Sequence, residues 1–293
     1  MVIPNLWQLF FNALGLSGFY ALFAVGLTLV FGVMKIINFA HGELYMIGAY
    51  FAWLVVSAGS DFLPLIPLLF LGLVVGILFV GGLGVGIERA IFRPLRVSPL
   101  SGFMASVGLL YVLQVLVGQT FGLKEKSVPT VFPGTVELAG ATISNHVVVT
   151  ILSAVILLGL LWFFLERTRL GQGLRASSQD SGAAALQGIS LNQMSALVMG
   201  IGSALAATAG VLVGTSLLMS PYMGWSVLWK AFIVTIVGGM GSISGAIVAA
   251  LLFGFLDNLI TTLGEPQMVT MIDVLVMLLI LAFRPQGLLG HEK

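Results

Sequence analysis

Apolar runs of about 20 residues, the length that crosses a bilayer as a helix, recur along most of this 293-residue chain. They lie near residues 9–33, 39–56, 65–87, 100–118, 146–165, 194–218, 227–238, 243–262 and 268–283. Charged residues make up only 8% of the chain, against roughly 25% in soluble domains, too few to cover a soluble surface. The alternating segments of about ten residues that mark a membrane β-barrel do not occur. The expected fold is an all-α polytopic membrane protein with eight to nine crossings, the seventh short enough to be partial or re-entrant. Its 37 glycines favour close packing of helices through small residues.

The basic residues predict an orientation. Arg89, Arg93 and Arg96 follow the third run, Arg167, Arg169 and Arg175 follow the fifth, and Arg284 follows the last. Placing all three groups in the cytoplasm puts the N-terminus outside, and the C-terminus and Lys35 inside. Residues 1–10 have no basic leader and no small-residue cleavage site after the apolar run, so the first run reads as a retained span. Pro129, Pro133 and Gly134 mark 121–145 as an irregular outer loop. One transmembrane domain, 1–293, is expected, with no room for a soluble domain of ordinary size. A receptor or an energy-supplying domain would then be a separate polypeptide. The net charge of +1 argues against a nucleic-acid partner, and with no cysteine there is neither a disulfide nor a thiolate metal site.

One apolar region is interrupted by polar residues. Lys35, Asn38, His41 and Glu43 fall within nine residues, and ionisable groups at membrane depth are costly. Gly26, Gly32, Gly42 and Gly48 around them permit close backbone approach or a helix break. If 37–50 is helical, Asn38, His41, Tyr45 and Gly48 share a face, since residues three or four apart are neighbours, and Glu43 points towards a neighbouring helix end. That face either lines a solute path or is a buried polar network that fixes packing. A second glycine-rich point, Gly238, Gly239, Gly241 and Gly245 around Ser242 and Ser244, reads as a helix break or a tight crossing. Interrupted segments in both halves of a chain are a feature of transporter centres; close packing through small residues explains the same glycines.

The longest internal polar stretch, about 166–193, suits a short cytoplasmic helix over 183–186, capped by Ser178 or Asp180 and ended by Gly188. Ser190 or Asn192 can cap the membrane helix that follows. Such a helix fits a groove on a partner, or is simply a capped surface loop. Asp257 and Asp273 flank Glu265 in an expected outer hairpin, near the outer surface. Lys230 can snorkel to the interface or pair with an acid.

Several catalytic motifs are absent. No lysine follows a glycine as in a phosphate-binding loop, and His41 and Glu43 have no second histidine at helical spacing to make a zinc helix. Neither Ser242 nor Ser244 sits in a nucleophile elbow. His41, His146 and His291 are far apart in sequence. No enzyme activity, cofactor or metal is expected.

The stretch INFAHGELYMIGAY at 37–50 resembles the signature of LivH-type permeases of branched-chain amino-acid ABC importers. IERAIFRPLR at 87–96, GLRA at 173–176 with Asp180 and ALQGI at 185–189, and KAF at 230–232 with GGMGSISGA at 238–246 agree in order and spacing, as does the closing RPQGLLG at 284–290. The resemblance implies an ABC importer permease fold in a bacterial or archaeal cytoplasmic membrane. It also implies two ATP-binding cassette subunits, a second homologous (LivM-like) permease and an extracytoplasmic solute-binding protein. The family's ATPase-coupling motif maps onto Arg175, Ala176, Asp180, Ala184, Leu186 and Gly188. The substrate pathway would involve Asn38, His41, Gly42, Glu43 and Tyr45, with Gly238, Gly239, Gly241, Ser242 and Gly245 as a helix break beside it. Gln172 stands where a basic residue is common in the family, and Ser244 where proline is common. Urea and short-amide permeases resemble the same group. From the charge cluster alone, a proton-coupled secondary transporter and a scaffold subunit without a pathway are the rival readings.

Overall fold

A computed structural model describes residues 5–96, 98–129 and 131–290. Asn5 starts the first helix, its side chain accepting from Trp7 N–H at 3.1 Å. In order come α1 (Leu6–Met34), α2 (His41–Gly59), α3 (Leu65–Ile87) with a π-helical turn at Glu88–Phe92, and α4 (Pro99–Phe121). A hairpin of β1 (Thr135–Leu138) and β2 (Ala141–Ser144) leads into α5 (Asn145–Arg167). Two short helices follow, α6 (Arg169–Gln179) and α7 (Ser181–Leu186). The chain then forms α8 (Leu191–Gly214), α9 (Met223–Gly238), α10 (Ile243–Thr262) and α11 (Val269–Phe283). Among the described residues, eight helices are long and apolar enough to cross a membrane. The seventh expected crossing is α9, which has 16 residues and is shorter than a full span.

α1 and α8 form the centre of the bundle, buried along most of their lengths, with α2, α3, α9 and α10 packed around them. Small residues set the spacing. A Cβ added to Gly202 of α8 would lie 2.8 Å from the carbonyl oxygen of Gly26 in α1, so only glycine allows this approach. α5 and α11 are peripheral and turn most of their apolar side chains outward, as lipid-facing helices do.

The basic connections collect at one end. Lys35 Nζ donates to the Ser178 carbonyl (3.2 Å), and Arg96 donates to the Asn192 side chain (2.6 Å). The closing segment returns to α9 through Leu288 N–H to the Val237 carbonyl (2.7 Å) and Leu289 N–H to Gly238 (3.2 Å), satisfying carbonyls that a helix end leaves open. At the other end the connection 121–145 is tied down. Lys126 and Met219 exchange backbone bonds of 2.9 and 2.8 Å, and Asn5 Nδ2 donates to the Gly140 carbonyl at 2.7 Å.

Candidate functional site

The site begins where α1 stops. Lys35 takes a left-handed conformation (φ 55°) with its N–H still bonded to the Phe31 carbonyl, so the break falls on a lysine rather than on Gly26 or Gly32. Residues 35–40 then run back along α1. The His41 ring packs 4.9 Å from the Phe23 ring, and its Nε2 lies 3.3 Å from the Phe23 carbonyl. Phe23 precedes the end of α1 by eleven residues (34 − 23), or about 16 Å of helix. The N-terminus of α2 therefore lies deep inside the bundle.

Backbone that leaves helical form inside a membrane protein needs local partners, and these residues supply them. Asn38 Oδ1 accepts from Ala40 N–H (3.0 Å), and the Asn38 carbonyl accepts from His41 N–H (3.3 Å). Ser106 Oγ of α4 accepts from Phe39 N–H at 3.2 Å and lies 3.2 Å from the Ile37 carbonyl. The single helical face expected over 37–50 is thereby corrected. Asn38 precedes α2 and stabilises its entry, because the chain must first climb back from Lys35.

Glu43 points towards α4 and the start of α9. Its Oε1 accepts from Gln114 Nε2 of α4 at 3.0 Å and would lie 3.0 Å from a Cβ at Gly224. Gly42 and Gly224 are each the second residue of a helix, so the first turns of α2 and α9 converge beside this carboxylate. Helix N-termini carry partial positive charge and favour an anion. Asn38, His41 and Glu43 are completely buried, yet among the described residues His41 Nδ1 and Glu43 Oε2 have no hydrogen-bond partner. Buried polar atoms left this way are costly and uncommon. The Tyr45 ring is buried between Phe19 and Phe23, at 5.9 and 5.5 Å, and serves packing.

The second glycine-rich point lies elsewhere. Gly239 (φ 104°) and Gly241 (φ 93°) make the turn from α9 to α10, and Ser242 caps α10 by accepting from Gly245 N–H at 3.2 Å. Gly238 and Gly245 touch across the turn, which rests against Gly32 near the end of α1. It is a tight connection at the basic end. The structure does not bring it together with Asn38–Glu43.

The polar stretch 166–193 forms two helices where one was expected. Thr168 caps α6, accepting from Gly171 N–H at 3.0 Å. Asp180 Oδ1 caps α7, accepting from Gly182 and Ala183 N–H at 2.8 and 3.0 Å. Gly188 (φ 82°) ends the segment, and Ser190 caps α8. Ala184 is buried and Ala176 half-buried, whereas Asp180 and Leu186 are exposed, Leu186 at 88%. Arg175 pairs with Glu166 at 2.5 Å.

Two ionic clusters join residues whose partners the sequence left open. Lys230 of α9 pairs with Asp257 of α10 (2.7 Å) and with Asp273 of α11, while Tyr20 of α1 donates to Asp257 at 2.6 Å. Both aspartates are buried, near the ends of α10 and α11 that the Glu265 turn joins. Glu88, fully buried in the π turn, pairs with Arg93 (2.7 Å) and Arg96, and both arginines reach Asn192 at the start of α8. His146 sits beside Thr150 and Thr215, away from His41. His291, Lys293 and residues 1–4, ahead of the first expected span, lie outside the described residues.

Residues 9–282, which include the interrupted entry to α2, both glycine-rich points and α6–α7, match the family described as branched-chain amino acid transport system / permease component. The chain belongs to that family. This permease is 35% identical over 294 residues to the high-affinity branched-chain amino acid transport permease BraD of Pseudomonas aeruginosa, covering 96% of this chain and 95% of that one. It is 34% identical over 298 residues to LivH of Salmonella typhimurium, covering 98% and 96%. A ribose import permease of Haemophilus influenzae is 26% identical over 307 residues, covering 100% and 90%. No solved structure matches the permease.

Proposed function

We propose that this permease is the transmembrane subunit of an ABC importer that carries branched-chain or other hydrophobic amino acids across a bacterial or archaeal cytoplasmic membrane. The whole chain acts as one permease domain. Two ATP-binding cassette subunits supply the energy by hydrolysing ATP, a second homologous permease completes the path, and an extracytoplasmic binding protein delivers the solute. The first turn of α2, buried with Glu43 Oε2 and His41 Nδ1 unpartnered among the described residues, carries the reading.

An amino acid presents an ammonium and a carboxylate a few bonds apart. Glu43 suits the ammonium, and the converging N-termini of α2 and α9 suit the carboxylate, as half-helix ends do in other transporters. Buried on all sides, Asn38–Glu43 belongs to a closed state of the path. Alternating access then consists of α2 and α9 parting at Gly42 and Gly224 when ATP binding moves α6 and α7 through Arg175, Ala176, Asp180, Ala184, Leu186 and Gly188.

The direct test is uptake by the reconstituted complex carrying Glu43→Gln or His41→Ala. Both variants should assemble with the partner subunits yet lose most uptake. Normal uptake by either would remove that residue from the path.

A further inference from the structure

α4 turns two polar side chains towards the interrupted entry of α2. Tyr111, Val115 and Leu116 face outward, whereas Ser106, Leu113 and Gln114 are buried. Ser106 serves backbone, at Phe39 N–H and the Ile37 carbonyl. Gln114 lies eight residues further on (114 − 106), about 12 Å along the helix, and serves a side chain instead. Its Nε2 donates to Glu43 Oε1 at 3.0 Å. A buried amide is costly unless it is hydrogen-bonded. Among the described residues this is the one hydrogen bond that the Glu43 carboxylate receives, and Oε2 stays open.

The other buried carboxylates are held differently. Glu88 pairs with Arg93 and Arg96, and Asp257 and Asp273 share Lys230. Among the described residues, Glu43 is the buried carboxylate that has no cation as its partner. A glutamine donates a hydrogen bond but carries no charge. It therefore fixes the carboxylate in place without cancelling its negative charge, which lysine or arginine at this position would do.

We propose that Gln114 is a positioning residue for transport: it holds Glu43 through Oε1 and keeps Oε2 charged and open for the ammonium of the solute. The proposal rests on the reading of Glu43 as the partner of that ammonium. Gln114 acts through Glu43 rather than on the solute, and its neutrality is what leaves the attraction to a cation intact.

Uptake of labelled leucine by the complete complex in proteoliposomes, measured together with ATP hydrolysis, tests the proposal. Gln114→Met keeps the length of the side chain and removes the donor. Leucine uptake should fall about tenfold, the effect of one lost hydrogen bond to a charged group. ATP hydrolysis stimulated by the loaded binding protein should persist, since only solute capture is impaired. In Gln114→Glu the new carboxyl donates as the amide does when protonated, and repels Glu43 when ionised. Its uptake relative to the parent should therefore rise as pH falls, and comparison with the parent at each pH cancels the contribution of His41. Gln119→Met, on the exposed side of the same helix, should change neither uptake nor hydrolysis. Equal losses of uptake and hydrolysis in Gln114→Met, with a pH response in Gln114→Glu that follows the parent's, would reduce Gln114 to a packing residue and overturn the proposal. Uptake at the parent's level in Gln114→Met, while Glu43→Gln remains impaired, would overturn it and leave Glu43 in the path. Normal uptake by Glu43→Gln would overturn the reading of Glu43, and this proposal with it.

Discussion

Gly42 of α2 and Gly224 of α9 touch backbone to backbone: a Cβ on Gly224 would sit 2.5 Å from the Gly42 carbonyl oxygen. No side chain fits there unless the helices part. Gly224→Ala should therefore destabilise the permease by about 1–3 kcal/mol, the usual cost of overpacking a tight contact. Thermal unfolding in detergent reads this as a lowered midpoint. Gly108→Ala in α4, where an added Cβ meets nothing within 4 Å, is the control and should leave the midpoint in place.

The Lys230 cluster predicts an asymmetric mutational pattern. Asp273 is the one buried side chain of α11 among the described residues, so the pair with Lys230 anchors that helix. Lys230→Ala leaves two buried carboxylates without their cation and should cost about 3–5 kcal/mol. Removing all three charges together, as Lys230→Met with Asp257→Asn and Asp273→Asn, should recover most of that loss. Unfolding midpoints and protease cutting near α11 report both effects. Equal stability of Lys230→Ala and the parent chain would contradict the anchoring role.

Asp180 separates local helix stability from coupling. Asp180→Ala removes two side-chain-to-backbone bonds at the start of α7 and should cost about 1 kcal/mol locally. Assembly in the membrane should persist while ATP-driven uptake falls severalfold. Asp180→Asn retains a capping oxygen and should preserve most uptake. If both variants transport as well as the parent, the ordered start of α7 does not transmit motion from the ATPase.

The membrane spans were legible because an apolar run of fixed length has few other uses. The cap at Asp180 and the turn at Gly188 were legible because both act within a few residues. The entry to α2 was not, since nothing local to Lys35 announces a left-handed residue followed by a climb back to Phe23. That path exists only because Ser106 and Asn38 meet its backbone groups. α6 was missed because Arg169–Gln179 is polar overall and reveals its inward side only through Gly171, Gly173, Leu174 and Ser177, which are buried. The pairing of Lys230 with Asp257 and Asp273 joins three separate helices, a relation that no local pattern encodes. Glu88 meets Arg93 across a π turn, a spacing of five that α-helical periodicity does not anticipate.

Uptake of labelled leucine and labelled urea into proteoliposomes holding the complete complex, with and without internal ATP, tests the central claim most directly. The account predicts leucine uptake that requires ATP and is lost in Glu43→Gln. Leucine uptake by this chain alone, driven by a proton gradient without any ATPase, would contradict it, and ATP-dependent uptake of urea but not leucine would contradict the assigned substrate.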